Sequence, residues 1–204
     1  MPIAVNAGVP IATGTNFSAN LSDALPKPQV DIVRSAQRED AWCYAACASM
    51  VINFCLEDQF TSQCEVASFA KDNNCCDSEI SACTDSGCSE DQIGPIYTRF
   101  GVDYEGFDPN DPTHPVEIGR ISFADILESL SADPPRPIEA VIEWNGTLNG
   151  SSHAVLIIGA HGDSVFLVDP LPGSTYGEWQ HFESLQQWFG HGRWVRSWPG
   201  LRRK

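Results

Sequence analysis

The chain has 204 residues, 42% of them hydrophobic and 19% charged, a composition that excludes a disordered chain and suits one globular domain. Its 27 acidic residues outnumber the 12 basic ones, and the net charge of −15 argues against nucleic-acid binding, which needs a basic face. No apolar run approaches the ~18 residues of a membrane span. We therefore expect a protein that has neither nucleic acid nor a membrane as its partner.

Two segments are predicted along the chain. Residues 1–29 show no sustained hydrophobic period and are punctuated by glycine and proline, so we expect an extended arm. Residues 30–204 form the predicted domain. Residues 1–26 contain no Lys or Arg, and hence no charged start of a signal peptide.

The first half of the domain carries helical patterns. Residues 41–56 are a long, alanine-rich apolar stretch, which favours a buried helix, and Asp40 directly before them is the predicted N-cap. Two later patterns begin with a serine followed three residues on by an acidic residue, the spacing of a capping box. These further helices are predicted over 62–72, 90–100 and 122–131.

The last third changes to short apolar runs of β-forming residues. Gly162-Asp163 between two of these runs indicates a hairpin. Helices in the first half and antiparallel strands in the second predict an α+β fold with two lobes. The strands are predicted over 138–144, 154–160, 165–168 and 193–198.

Cys43 is the candidate nucleophile. It lies near the start of the first predicted helix, where unpaired backbone N–H groups favour negative charge. The thiolate is the nucleophilic form of cysteine, so the position and the chemistry agree. The alternative is a structural cysteine in the first helical turn.

His153 is the candidate base among five histidines, because it follows a polar loop and opens an apolar strand that would hold it at the loop rim. Asp169 ends the next predicted strand. If these two strands pair as a hairpin, His153 and Asp169 meet at its open end, the layout of an imidazole held by a carboxylate. The other histidines are expected at the surface or in packing roles.

Gln37 is the candidate oxyanion donor. It lies six residues before Cys43, in the preceding loop. Its side-chain amide and the Cys43 backbone N–H can together donate two hydrogen bonds to a developing oxyanion.

These residues resemble, in order and local pattern, the papain-like cysteine peptidases: Gln37, then Cys43, then His153 followed by Ala-Val, then Asp169 followed by Pro. Trp42 precedes the nucleophile, whereas papain carries a tryptophan after it, and the third member is Asp rather than Asn. The resemblance covers about residues 30–198.

Both departures resemble the bacterial branch of the superfamily. That branch includes the double-glycine leader peptidases of bacteriocin exporters and the effector proteases that plant pathogens inject into host cells. The run Gln63–Ser68 and the adjacent Cys75 and Cys76 also look like features of the effector-like group.

The resemblance implies a papain-like fold, with an N-terminal helical lobe carrying the nucleophile and a C-terminal antiparallel β lobe carrying the histidine and aspartate. It also implies a cysteine peptidase acting on a peptide or protein: Cys43 attacks a carbonyl, His153 protonates the leaving amine and water releases the acyl group. We expect no cofactor, no metal and a monomer. The alternatives are an acyl transferase or cyclase and a catalytically silent binding module.

Eight cysteines lie within 46 residues, and two of them, Cys43 and Cys47, are expected to stay reduced. The other six lie in a loop-rich segment that has little to bury, so three disulfides are predicted, with Cys75 and Cys76 reaching separate partners. A zinc-dependent interaction domain is the alternative, weakened because no CxxC pair is present. Disulfides favour a secreted or exported protein. The six are Cys55, Cys64, Cys75, Cys76, Cys83 and Cys88.

Overall fold

The computed structural model describes most of the predicted domain. The described residues are 27–77, 83, 87–105, 119–145, 151–174, 177–187 and 190–204. The predicted arm, residues 1–29, lies outside them except for its last three residues. The proline-rich stretch 106–117 and residues 146–150 of the polar loop that precedes His153 also lie outside the described residues.

The helix α1 (Cys43–Cys55) is the centre of the helical half. Every residue from Tyr44 to Ile52 is buried, as expected for an alanine-rich apolar run. The helix begins at Cys43, two residues later than predicted. The candidate nucleophile, Cys43, is therefore the first residue of the helix rather than the third.

The prediction that Asp40 caps this helix is wrong. Trp42 is the N-cap residue, no side chain caps the helix, and Asp40 is exposed. The Trp42 indole is 3% exposed, and its Nε1–H donates a hydrogen bond to the Cys83 carbonyl at 2.7 Å. Packing of this indole, a tertiary contact, fixes the turn where a capping side chain was expected.

The shorter helices begin largely as predicted. Ser62 and Glu65 form a capping box, as do Ser122 and Asp125, each pair satisfying two backbone N–H groups that the helix leaves unpaired. None of the helices in the described ranges is long and apolar enough to cross a membrane. These helices are α2 (Gln63–Lys71), α3 (Ile93–Arg99) after a 3-10 turn (Glu90–Gln92), α4 (Phe123–Leu130) and α5 (Phe182–Gln186).

The second half forms a five-stranded antiparallel sheet in the order β5-β4-β3-β2-β6, and a two-stranded sheet pairs β1 with β7. The four predicted strands and the Gly162-Asp163 hairpin are present. The strands are β1 (Val102–Asp103), β2 (Ile138–Trp144), β3 (Ser152–His161), β4 (Ser164–Val168), β5 (Glu178–His181), β6 (Gly192–Trp198) and β7 (Arg202–Arg203).

Sequence patterns missed β5 and α5. The residues of β5 are polar and partly exposed, so no apolar alternation marks them. β5 forms by pairing with β4 at one edge of the sheet, and α5 follows it directly. Pairing with β4, rather than the β propensity of its own residues, therefore makes this segment a strand.

β3 connects the two halves. Its residues from His153 to Ala160 are all buried, and because alternate residues of a strand point to opposite faces, both faces of the sheet are covered here. α1 and α4 pack against this strand. The observed architecture is the predicted α+β fold, with the helices of the first half packed on the antiparallel sheet of the second.

The disulfide prediction is correct in part. Cys75 and Cys76 reach separate partners, in the pairs Cys75–Cys83 and Cys64–Cys76. The predicted third bridge is absent: Cys55 and Cys88 are free, as are Cys43 and Cys47. Cys55 is the last residue of α1, whereas Cys88 lies in a different segment. These two thiols, each expected in a disulfide, are therefore held by separate elements.

Candidate active site

Cys43 is the first residue of α1 and is half-buried, with a free thiol. The first backbone N–H groups of a helix have no acceptor within the helix, so they present partial positive charge at this end. No acidic side chain lies in the first turn to offset that charge. The position therefore favours a negative sulfur.

His153 and Asp169 meet at the open end of the β3–β4 hairpin, as predicted. The His153 Nε2 lies 2.8 Å from Asp169 Oδ1, with the imidazole almost fully buried and the carboxylate partly exposed. The same Oδ1 accepts the Leu171 backbone N–H at 2.9 Å, and the Asp169 carbonyl accepts the Ser174 hydroxyl at 2.9 Å. These bonds fix the turn after β4 and hold the carboxylate against the ring.

The Cys43 side chain lies close enough to the same ring to raise the pKa of His153 by hydrogen bonding and by its charge. Since Nε2 is engaged with Asp169, Nδ1 is the ring nitrogen left for the sulfur. Burial lowers the pKa of His153, but the hydrogen bonds and charges of Asp169 and Cys43 outweigh it and raise the pKa to about 10. The three side chains thus favour a protonated imidazole between two acceptors.

Trp144 lies on the His153 ring. The two ring centroids are 5.9 Å apart and the planes are inclined by 25°, an offset stack. The indole comes from the end of β2, which pairs with β3 so that Ile142 is opposite His153. Trp144 contacts the His153 ring, whereas Trp42 and Trp179 pack elsewhere. Trp188 lies outside the described residues.

Gln37 is buried in the loop before α1. Its backbone N–H donates to the Pro170 carbonyl at 2.8 Å, which ties this loop to the turn after Asp169. Its side-chain Nε2 donates to the carbonyls of Glu39 at 3.0 Å and Asp40 at 2.7 Å, and its Oε1 is buried without a partner. Because both neighbours are carbonyl acceptors, the Gln37 amide must point its nitrogen towards them. Both Nε2 hydrogens are therefore engaged in hydrogen bonds.

A buried acid lies in the core behind the site. Glu139, on β2, is 0% exposed and accepts a hydrogen bond from the Tyr97 hydroxyl of α3, while its other carboxylate oxygen has no partner. Burial raises the pKa of Glu139 to about 8, although the Tyr97 hydrogen bond lowers it. The Cys47 thiol, one turn beyond Cys43, is fully buried, and burial together with the Glu139 charge raises its pKa well above the usual range. Nothing in the sequence pattern distinguished Glu139, because it stands among β-forming residues.

Two other described histidines, His161 and His181, lie away from the pair. His161 packs on the edge of Trp179, and His181 and Asp163 form an exposed ion pair at 3.2 Å. His114 lies outside the described residues. Within the described part of the chain, no group of three or more His, Cys, Asp or Glu side chains is arranged to hold a metal ion.

Two solved peptidase structures have a similar fold. The peptidase domain of Streptococcus ComA, a bifunctional ABC transporter involved in a quorum-sensing pathway, has a TM-score of 0.54 at 12% identity, over 86% of this chain and 99% of that one. A putative C39-like peptidase from Bacillus anthracis has a TM-score of 0.54 at 15% identity, over 86% and 96% of the two chains.

A double-glycine motif protease from an AMS/PCAT transporter, solved in complex with the leader peptide, has a TM-score of 0.46 at 17% identity, over 86% and 96%. No family model and no curated protein matches the sequence. The first two similarities confirm, for the fold, the papain-like architecture that the motifs suggested.

Proposed function

We propose that this protein is a cysteine peptidase that hydrolyses peptide bonds through Cys43, His153 and Asp169. The observation that carries the proposal is the His153–Asp169 bond at 2.8 Å, with the Cys43 side chain close enough to the same ring to raise the pKa of His153. The fold of C39-type peptidase domains supports the same class of reaction.

In the proposed reaction, the Cys43 sulfur attacks the carbonyl carbon of the scissile peptide bond. His153 gives its proton to the leaving amine as the C–N bond breaks, which leaves an acyl group on the sulfur. The neutral imidazole then takes a proton from a water molecule, and the hydroxide releases the acyl group as a carboxylic acid. Asp169 keeps the ring oriented and stabilises its protonated form, without transferring a proton.

The oxyanion that forms on the carbonyl needs donors. The backbone N–H of Cys43, at the first position of α1, is one that the helix leaves free. Gln37 is the proposed second donor, and this role requires its Nε2 to exchange one backbone carbonyl for the oxyanion. A charged acceptor makes a stronger hydrogen bond than a neutral carbonyl, which favours the exchange during the reaction.

The raised pKa of His153 predicts how activity depends on pH at the alkaline side. The ring holds its proton below a pKa of about 10, so it can act as the acid for the leaving group up to that pH. As pH rises through about 10, the ring loses its proton and the rate of acylation should fall. A pH–rate profile of acylation checks this limit.

The proposed substrate is a peptide or protein that lies in an extended form across the cleft beside Cys43. The same acyl-enzyme chemistry passes the acyl group to an amine if an amine replaces water, so transfer or cyclisation is a separate outcome. A silent binding module would keep the shape without a reactive thiol.

The two bridges within the first half fit a protein that is exported to an oxidising compartment, which is part of the proposal.

The test is a peptide-library cleavage profile of the full chain, with Cys43→Ala as the control and mass spectrometry of the products. Free acids at the new C-termini identify hydrolysis, and ligated or cyclic products identify transfer. Iodoacetamide at neutral pH should label Cys43 before any other thiol. Labelling of Cys47 first, or equal cleavage by Cys43→Ala, would disprove the assignment.

A further inference from the structure

A second free thiol lies beside the start of α1. Cys83 and Gly87 both lie by the residues that precede α1: the Trp42 indole donates to the Cys83 carbonyl at 2.7 Å, and a carbon placed on Gly87 would lie 3.8 Å from the Ala41 carbonyl oxygen. Cys88 follows Gly87 directly and its thiol is free and half-buried. The segment therefore brings Cys88 to the end of the helix that carries the nucleophile.

The electrostatics of the two thiols agree with this placement. Burial raises the pKa of Cys88, and the nearby charges of Glu139 and Cys43 raise it further. Burial also raises the pKa of Tyr44, and the charges of Cys88 and Cys43 add to that effect. The charge of Cys43 thus acts on Cys88, and both thiols act on one common neighbour, Tyr44, which follows Cys43 in the helix.

The segment around Cys88 is held in place by side chains of the helical half. The Lys71 ammonium donates to the Gly87 carbonyl. The Gln92 side chain accepts the Ser89 backbone N–H at 2.9 Å and donates to the Ala70 carbonyl at 2.7 Å. Cys88 is therefore fixed next to α1 but belongs to no helix or strand, so its backbone can adjust locally.

The other cysteines are excluded as partners for Cys43. Cys47 is one turn along the same helix, where side-chain Cβ atoms lie about 5–6 Å apart, whereas a disulfide requires Cβ atoms about 3.5–4.5 Å apart. Cys55 is twelve residues along α1, which is ~18 Å at the rise of an α-helix. The remaining four cysteines are already paired.

We propose that Cys88 is the resolving thiol for the Cys43 sulfur, so that a peroxide closes a reversible Cys43–Cys88 disulfide that switches the protein off. Hydrogen peroxide oxidises the Cys43 sulfur to a sulfenic acid and is reduced to water. The Cys88 sulfur then bonds to the Cys43 sulfur, and the Cys88 proton leaves with the sulfenic hydroxyl as a second water.

The order of these two steps follows from the site. Burial keeps Cys88 protonated at neutral pH, so it is a poor first target for an oxidant, whereas Cys43 faces the protonated His153 at a helix start. The disulfide occupies the sulfur that would attack the substrate. Loss of activity rests on the proposed peptidase function, but formation of the bridge does not.

The bridge also protects the nucleophile. A sulfenic acid that finds no thiol is oxidised further to a sulfinic acid, which thiol reductants do not reverse. With Cys88 present, oxidation of Cys43 ends at the disulfide, which dithiothreitol reduces. The Cys43–Cys88 disulfide would then keep the peptidase inactive in an oxidising compartment, and its reduction would restore activity in a reducing one. The two structural bridges, Cys64–Cys76 and Cys75–Cys83, involve neither of these thiols.

The experiment treats the full chain with hydrogen peroxide, blocks free thiols and digests it without reduction at Asp and Glu. Cleavage at Glu57 and Asp85 separates Cys43 from Cys64 and Cys88 from Cys83, so the native bridges do not mask the new one. We expect a linked peptide that contains Cys43 and Cys88 and disappears on reduction. A link from Cys43 to Cys47, or sulfinic Cys43 in the wild type without the Cys88 link, would overturn the proposal.

Two variants give a second readout. Cys88→Ser should keep the basal activity, but peroxide should add two oxygen atoms to its Cys43, and dithiothreitol should restore little of the lost activity. The wild type and the matched control Cys55→Ser, which removes the other unpredicted free thiol, should regain most of theirs. Equal recovery by Cys88→Ser and the wild type refutes the role of Cys88. If the wild type cleaves no peptide, the proposed function fails, and the linked peptide still decides the disulfide.

Discussion

The helical half and the sheet half are stabilised in different ways. In the sheet half, β3 is buried from His153 to Ala160 and pairs on both sides with long apolar strands. In the helical half, α2 and α3 have 9 and 7 residues, and two disulfides lie close by in sequence. Short helices need such tertiary support, because isolated helices of this length are marginal in water.

This difference divides the candidate site between two kinds of support. His153 and Asp169 stand on a hairpin whose geometry depends on strand pairing and apolar burial. Cys43 stands on α1, whose start is packed against the segment that the Cys75–Cys83 bridge pins. The His153–Asp169 pair therefore depends on strand pairing, whereas the start of α1 also depends on the segment that the Cys75–Cys83 bridge holds.

The largest expected effect tests whether the two halves form one catalytic unit. His153→Ala should abolish peptide cleavage as completely as Cys43→Ala, by ~10⁴-fold or more, because nucleophile and base act together. Asp169→Ala should cost less, since it orients the ring and transfers no proton. Steady-state kinetics on the best library peptide gives the values. His161→Ala is the matched control, and a dead His161→Ala beside an active His153→Ala would refute the assignment.

The second effect concerns the junction of the halves, where Glu139 of β2 meets Tyr97 of α3. Glu139 has a folded pKa of about 8 against 4.5 in the unfolded chain, so the unfolded state loses its proton first as pH rises. The free energy of unfolding should fall between pH 4.5 and about 8, by ~5 kcal/mol. Glu139→Gln should remove this slope. Urea unfolding at several pH values checks it, and an unchanged slope would contradict the buried, neutral acid.

The third prediction concerns Gln37, whose loop joins the two halves through its bond to the Pro170 carbonyl. Gln37→Ala should lower the turnover number by ~10²–10³-fold if the amide reaches the oxyanion. Gln37→Glu is the companion variant, because it keeps the size and removes the donor. Kinetics and circular dichroism should separate a lost donor from a displaced loop. An unchanged turnover number in both variants would mean that backbone donors alone form the oxyanion hole.

The fourth prediction separates the halves by their response to reduction. Removing Cys75–Cys83 or Cys64–Cys76 by paired serine substitutions should cost ~2–4 kcal/mol of unfolding free energy each. Hydrogen exchange should increase in α2 and α3 and stay low in β2 and β3. Thiol counting on denatured, unreduced protein should find four free thiols, the number the structure leaves unpaired. A count of two free thiols would indicate that the third bridge is present, and a count of eight would indicate that neither observed bridge forms.

The smallest effects are at the helix caps. Ser62→Ala and Ser122→Ala each remove a side chain that accepts a backbone N–H in a capping box, at a cost of ~1 kcal/mol. Thermal unfolding measures both. Ser62→Ala should matter more after reduction, since α2 then loses the bridge at Cys64 as well. Equal costs in both redox states would indicate that the bridge and the cap stabilise α2 independently.

Much of the fold could be predicted because its signals are local. The capping boxes at Ser62 and Ser122, the apolar strands and the Gly162-Asp163 turn all express preferences of neighbouring residues. The meeting of His153 and Asp169 followed from them, since a hairpin of known register brings its open ends together. The helix begins at Cys43, two residues later than predicted, because burial of Trp42 and its hydrogen bond to the distant Cys83 carbonyl set the helix start.

The sequence by itself determined the fold class, the order of the elements and the side chains that stand at the start of α1 and the open end of the hairpin. These depend on periodicity, caps and turns, which act over a few residues. Only the tertiary structure decided which cysteines pair, that Cys88 is free near the start of α1, that Glu139 is buried against Tyr97 and that the Gln37 backbone N–H is bound to the Pro170 carbonyl. Each of these is a contact between residues far apart in the chain, and a pairing among six cysteines is set by where the folded backbone brings their Cβ atoms together.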